Sequence, residues 1–176
     1  MKFSKMLAAI TQVLNQDSDT QVDVCMTSEM ARRIELWTAM YEDNAPWVDR
    51  KKVKSAQLPA AIASEVARLV TLEMKSEITG GSSAAYLNDQ YQKKVLTSIR
   101  RYVEYRCAKG GLILKHYVTK TGLAIQYVQA DCFFPLAFDD SGQIQQCVFT
   151  EQFRKGQKIY TRLEVHTLQG EQIRIT

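Results

Sequence analysis

The hydrophobic period of this chain changes at Gly110-Gly111, and that change constrains the fold more than any other feature. Up to Lys109 the apolar residues recur at helical spacing, and from Leu112 they alternate in strand fashion between short turn signals. A parallel crossover needs a dozen or more residues, usually a helix, and the second half holds no such segment. The expected class is therefore α+β: an amino-terminal helical region of about three main helices, followed by an antiparallel β meander.

Within the first half, Phe3, Met6, Leu7, Ile10, Val13 and Leu14 outline a short amphipathic helix. Thr11, Gln12, Asn15, Gln16 and Asp17 interrupt its apolar side, and no small-residue cleavage site follows, so it does not read as a secretion signal. Residues 15–27 begin polar and turn-rich, which predicts a linker. Ser28 can cap a helix starting at Glu29, with Met30, Ile34, Trp37 and Tyr41 at helical spacing and Pro46 as its stop. Pro59 suits the first turn of the next helix. That helix reads as buried: Leu58, Ile62, Val66, Leu69, Val70 and Met74 form a stripe, while Ala60, Ala61, Ala63 and Ala67 permit close packing. Thr79-Gly80-Gly81 is its expected end.

A third, long helix is predicted from about Ser83 to Lys109. Leu87, Tyr91, Val95, Ile99 and Tyr102 share one of its faces; Lys93 and Arg100 lie opposite, with Lys94 and Arg101 beside them. Gly110-Gly111 can supply a left-handed cap after Arg106 and Lys109. Strands follow at Leu112–Val118 and Leu123–Ala130 around Lys120-Thr121-Gly122. Another runs from Ile144 to Phe153 after Asp140-Ser141-Gly142. Beyond Gly156, Ile159, Thr161, Leu163 and Val165 alternate with Tyr160, Arg162, Glu164 and His166, and Gln169-Gly170 turns into residues 172–176. The divisions expected along the chain are 1–27, 28–111 and 112–176. The last strand pattern is still running at Thr176, which reads as a truncation point.

Composition excludes several classes. With 45% apolar and 24% charged residues, the 176-residue chain is ordinary for a soluble domain, and no apolar run approaches the ~18 residues of a membrane span. The expected compartment is cytosol. Cys25, Cys107, Cys132 and Cys147 form no CxxC pair and read as reduced thiols packed as small apolar groups, not as a zinc site. A net charge of +4 does not by itself mark a nucleic-acid binder. Cations cluster at Arg50, Lys51, Lys52 and Lys54 and again from Lys93 to Lys109, whereas the first fifty residues are comparatively acidic.

No catalytic, cofactor or metal site is expected. Gly80-Gly81-Ser82-Ser83 and Ala108-Lys109-Gly110-Gly111 lack phosphate-loop spacing, and the second closes a helix where such a loop should open one. His116 and His166 have no nucleophile in a recognisable motif beside them. Glu35, Glu42, Asp43 and Asp49 read as a solvated helix face, and Asp131 as a turn cap or salt-bridge partner. Lys93, Lys94, Arg100 and Arg101 are candidate nucleic-acid or subunit contacts. Because Glu104 interrupts them and the tyrosines lie elsewhere, a solvated face or subunit contact is favoured over DNA. Trp37, Trp47, Phe133 and Phe134 are candidate core or interface anchors, and Phe138 reads the same way.

Several segments, in order, resemble the amino-terminal, wing-like part of bacteriophage portal proteins from phages and prophages of Gram-positive bacteria. They are Trp37 to Trp47, Leu58 to Met74, Glu77 to Gly80, Asn88-Asp89-Gln90-Tyr91, Val103 to Gly111 and Gln129 to Phe138. The resemblance covers roughly residues 28–176 and includes no catalytic signature. It implies a structural subunit, not an enzyme, of a homo-oligomeric ring at a capsid vertex. Such a ring serves head assembly and passes double-stranded DNA inward and outward. Implied partners are capsid, terminase and head–tail connector proteins, with no membrane, in the virion and in host bacterial cytoplasm during assembly. Channel-lining and motor-docking regions would lie beyond Thr176. The alternative is a stand-alone interaction module from a degraded prophage; a small hydrolase or transferase on the same layout ranks a distant third.

Overall fold

The structure, a computed structural model, describes residues 3–16, 23–49, 51, 52, 54–120 and 122–176. Among them are five α-helices followed by six antiparallel strands, the expected α+β order. The helices are α1 (Phe3–Gln16), α2 (Ser28–Tyr41), α3 (Leu58–Thr71), α4 (Ala84–Lys94) and α5 (Ile99–Lys109). The strands are β1 (Leu112–Thr119), β2 (Gly122–Gln129), β3 (Phe133–Phe138), β4 (Ile144–Lys155), β5 (Lys158–Gln169) and β6 (Gln172–Ile175). Two compact units emerge, Met1–Glu35 with Asp131–Thr176, and Leu36–Ala130. Their limits fall elsewhere than at 27/28 and 111/112, because the chain leaves the first unit within α2 and re-enters it at Asp131.

In the first unit β3–β4–β5–β6 form a sheet in sequence order, a true meander. Phe134 and Val148, register partners on β3 and β4, are fully buried. The α1 residues Phe3, Met6 and Ile10, spaced to share a helix face, are buried as well. Phe3 stacks on Phe134 with ring centroids 5.2 Å apart, and Met6 Sδ accepts from Gln152 Nε2. The segment read as a linker lies partly outside the described residues, at 17–22. Its end is tethered: Cys25 N–H donates to Pro135 O at 2.8 Å and its thiol to Leu136 O. Pro135 has no N–H to offer, which suits an outer position in the ladder. Helix α2 starts one residue earlier than expected, because Thr27, not Ser28, accepts from the Met30 N–H.

In the second unit α2 ends at Tyr41 through its own backbone and not at Pro46. Asn44 N–H bonds Ala39 O, Asp43 N–H bonds Met40 O, and Asp43 sits at φ 56°, a left-handed helix terminator. The long helix predicted from Ser83 to Lys109 is two helices. Val95 N–H closes α4, a 3₁₀ turn covers Leu96–Ser98, and α5 restarts at Ile99. Thr97 and Ser98 account for the break: Thr97 Oγ1 donates to Gln92 O, the local side-chain bonding by which such residues compete with a helix. Gly110, at φ 84°, makes the expected left-handed cap and donates to Arg106 O. β1 and β2 form a separate two-stranded sheet, so the residue 112–176 region is two sheets joined by the Ala130–Cys132 turn that holds Asp131. Thr121 of the hairpin turn lies outside the described residues. The α4–α5 side meets this hairpin through Tyr102, stacked on Tyr127, whose hydroxyl donates to Lys94 O at 3.0 Å.

Candidate interaction surface

Helix α3 carries apolar residues on two sides, and the structure covers only one of them. Ala63 and Ala67 are buried, Ala67 completely, in the helix that packs against α5. Small side chains let two helix backbones approach closely. On the other side Leu58 and Ile62 are each 62% exposed and Leu69 59%, while Val66 (40%) and Val70 (60%), nearer the alanines, are exposed as well. This overturns the buried stripe expected from periodicity. The helix also ends at Thr71, where the Thr71 hydroxyl donates to Ala67 O, so Met74 lies beyond it and Gly80-Gly81 does not terminate it.

The exposed side continues past the start of α3. Leu58 also lines a cavity of about 390 Å³ with Met40, Ala45, Trp47, Val48 and Pro59. Trp47 is 66% exposed and so is no core anchor. Asp43 and Asp49 border the same cavity, while Glu42 lies 3.9 Å from the buried Lys109 ammonium. Along the flank of α3, Glu65 and Arg68 form an ion pair. The Arg68 hydrogen bond, aided by the charges of Arg68 and Arg100, holds the Glu65 carboxyl below its usual range. The face is therefore aliphatic with a charged margin, the layout of an interface core and its rim.

The four candidate cations do not form one stripe, since Lys93 and Lys94 end α4 while Arg100 and Arg101 begin α5. Lys93 pairs with Asp89 at 2.7 Å, and Lys94 Nζ donates to the Leu123 carbonyl. Arg101 Nε donates to the Tyr105 hydroxyl and its guanidinium lies 5.6 Å from that ring. Arg100 and Arg101 border a shallow depression with Ser64, Thr97, Ser98 and Glu104. Of the aromatic candidates, Trp37 packs within the second unit against the Gly110 backbone. Phe134 is a core residue, and Phe133 lies against Phe149 with centroids 5.3 Å apart. Phe138 is 46% exposed, at the end of β3.

The remaining candidates are dispersed. His116 is exposed on β1, whereas His166 is half-buried on β5, 2.6 Å from Glu164 and edge-on to Phe149. Cys25 and Cys107 are exposed, so only Cys147 among the four thiols is packed as a buried apolar group, with Cys132 half-buried. Among the described residues no cluster of His, Cys, Asp or Glu is placed to hold a metal ion, and no helix is long and apolar enough to cross a membrane. Arg50 lies outside the described residues; Lys51, Lys52 and Lys54 are exposed, with Lys52 paired to Asp49 at 3.4 Å. Sequence reasoning missed the outward face of α3 because the residues that mark it are those that would equally mark a core. No family model, curated protein or solved structure matches the chain.

Proposed function

We propose that this chain is a structural subunit of a phage portal ring at the capsid vertex, serving head assembly and the packaging and exit of double-stranded DNA. One observation supports the assembly part of that reading: α3 packs through alanines and leaves Leu58, Ile62, Val66 and Leu69 facing water beside Trp47. Large contiguous apolar patches are uncommon on proteins that work alone and mark surfaces that meet a partner. The portal part rests on the ordered segments from Trp37 to Phe138 that resemble that family. The reading assigns no catalytic residue, cofactor or metal. Its partners are further copies of the chain, capsid, terminase and connector proteins, and double-stranded DNA threaded through the ring. The places of action are host cytoplasm during assembly and then the virion. The same α3 face also supports a second reading, a stand-alone interaction module from a degraded prophage.

Native mass of the gene product at its natural length separates the two. A closed ring is the expected result. A folded monomer at every concentration overturns the portal reading and leaves the interaction module.

A further inference from the structure

The far half of the β4–β5 hairpin extends beyond the other strands of its sheet. β3 accompanies β4 only to Phe149, and β6 reaches β5 only as far as Val165. The ladder from Glu151–Arg162 to Lys155–Lys158 thus has two strands, and every residue from Glu151 to Arg162 is exposed. A two-stranded ribbon has little stability of its own in water. Here the end of the ribbon adds a cost, because Lys155 and Lys158 stand directly opposite each other, an arrangement that destabilises a hairpin.

Strand alternation puts that lysine pair on the same face as two more cross-strand pairs. Next inward, Phe153 and Tyr160 stack with centroids 5.6 Å apart and planes 16° from parallel, both rings exposed. Beyond them Arg162 is ion-paired with Glu151. From the tip inward the face therefore reads ammonium pair, aromatic pair, and a guanidinium–carboxylate ion pair. Cations beside stacked rings are the layout that holds a nucleic-acid backbone while bases stack, and with Arg162 matched by Glu151 the backbone contacts fall to the two lysines.

We propose that this face binds an unpaired nucleic-acid strand, with phosphates at Lys155 and Lys158 and a base against Phe153 and Tyr160. The anionic strand relieves the opposed lysine charges, which an apolar protein surface would bury uncompensated. A duplex keeps its bases stacked inside and leaves the rings without a partner. Contact of this kind needs no particular base sequence, because every base has a π face. It stands apart from the portal reading and holds or fails by itself.

The test is fluorescence anisotropy of the 176-residue chain with a labelled oligothymidylate of about 20 nucleotides and with a duplex of matching length, across a salt series. Replacing Lys155 and Lys158 together by Gln should lower the log–log salt slope by about 1.4, from two phosphate contacts at ~0.7 each. At ~0.1 M salt that corresponds to roughly 25-fold weaker strand binding. Phe153→Leu should weaken the strand by about fivefold or more. Because the Gln pair removes a repulsion, its melting temperature should be no lower than the parent's. Absence of strand binding at low salt, or an unchanged affinity in the Gln pair, overturns the proposal. So does a duplex bound as tightly as the strand with no effect of Phe153→Leu.

Discussion

Exchanging Leu69 for Gln and, separately, Ala67 for Leu tests the orientation of α3 directly. Leu69 is 59% exposed, so only about two-fifths of its side-chain surface leaves water on folding. Full burial of a leucine contributes about 1.5–3 kcal/mol, which scales to roughly 0.6–1.2 kcal/mol here. Gln and Leu have similar helix propensity, so Leu69→Gln should cost no more than that range. Ala67 has no exposed surface and sits where α3 meets α5. Leu there forces extra carbons into a closed seam, at about 1–3 kcal/mol or more. The order of costs thus inverts the usual one, in which loss of a large apolar residue is the more damaging change. Urea unfolding followed by far-ultraviolet circular dichroism measures both, provided the slope with denaturant is unchanged. A cost above about 2 kcal/mol for Leu69→Gln, or below about 0.5 kcal/mol for Ala67→Leu, refutes the orientation. With the orientation upheld, Ile62→Gln combined with Leu69→Gln should leave the monomer folded and lower the native mass to that of a single chain.

Three further outcomes follow from local geometry. Gly110→Ala should destabilise by about 1–3 kcal/mol in the same assay, because residue 110 adopts φ 84° and the new Cβ would lie 2.9 Å from Trp37 Cζ3. Tyr41→Phe loses a 2.7 Å bond to the Glu104 carboxylate, about 1 kcal/mol at neutral pH. Burial first, and then Glu104, push the Tyr41 hydroxyl well above its ordinary range. The stability it adds is complete below the unfolded value of about 10 and falls as pH rises beyond it, so the parent and Tyr41→Phe should converge in alkali. Asp139 accepts bonds from the Ser141 hydroxyl and from the Ser141 and Gln143 amides, and the Ser141 hydroxyl is the main cause of its lowered pKa. Its contribution is complete above about pH 4 and is lost as pH falls through the lowered folded value. The difference in melting temperature between parent and Asp139→Asn should therefore close in acid, and a constant difference refutes the turn-capping role.

What was legible in the sequence depended on how local the cause was. The period change at Gly110-Gly111 and the turn at Asp140-Ser141-Gly142 rest on neighbouring residues, and both appear where expected, although Asp139 organises the turn. The break at Thr97-Ser98 is local too, but apolar spacing runs through it and conceals it. The split of the strands into two sheets was not legible, because Ala130–Cys132 differs little in composition from its surroundings. The facing of α3 is a different kind of failure. Periodicity ranks faces by the size of their apolar side chains, whereas a close helix contact selects side chains short enough to let backbones approach. On α3 these criteria choose opposite sides: Ala63 and Ala67 are buried in the helix that packs on α5, and Leu58, Ile62 and Leu69 stay exposed. A helix apolar on both sides asks for two partners. Within the second unit α5 supplies one, and an assembling protein would supply the other from a neighbouring subunit.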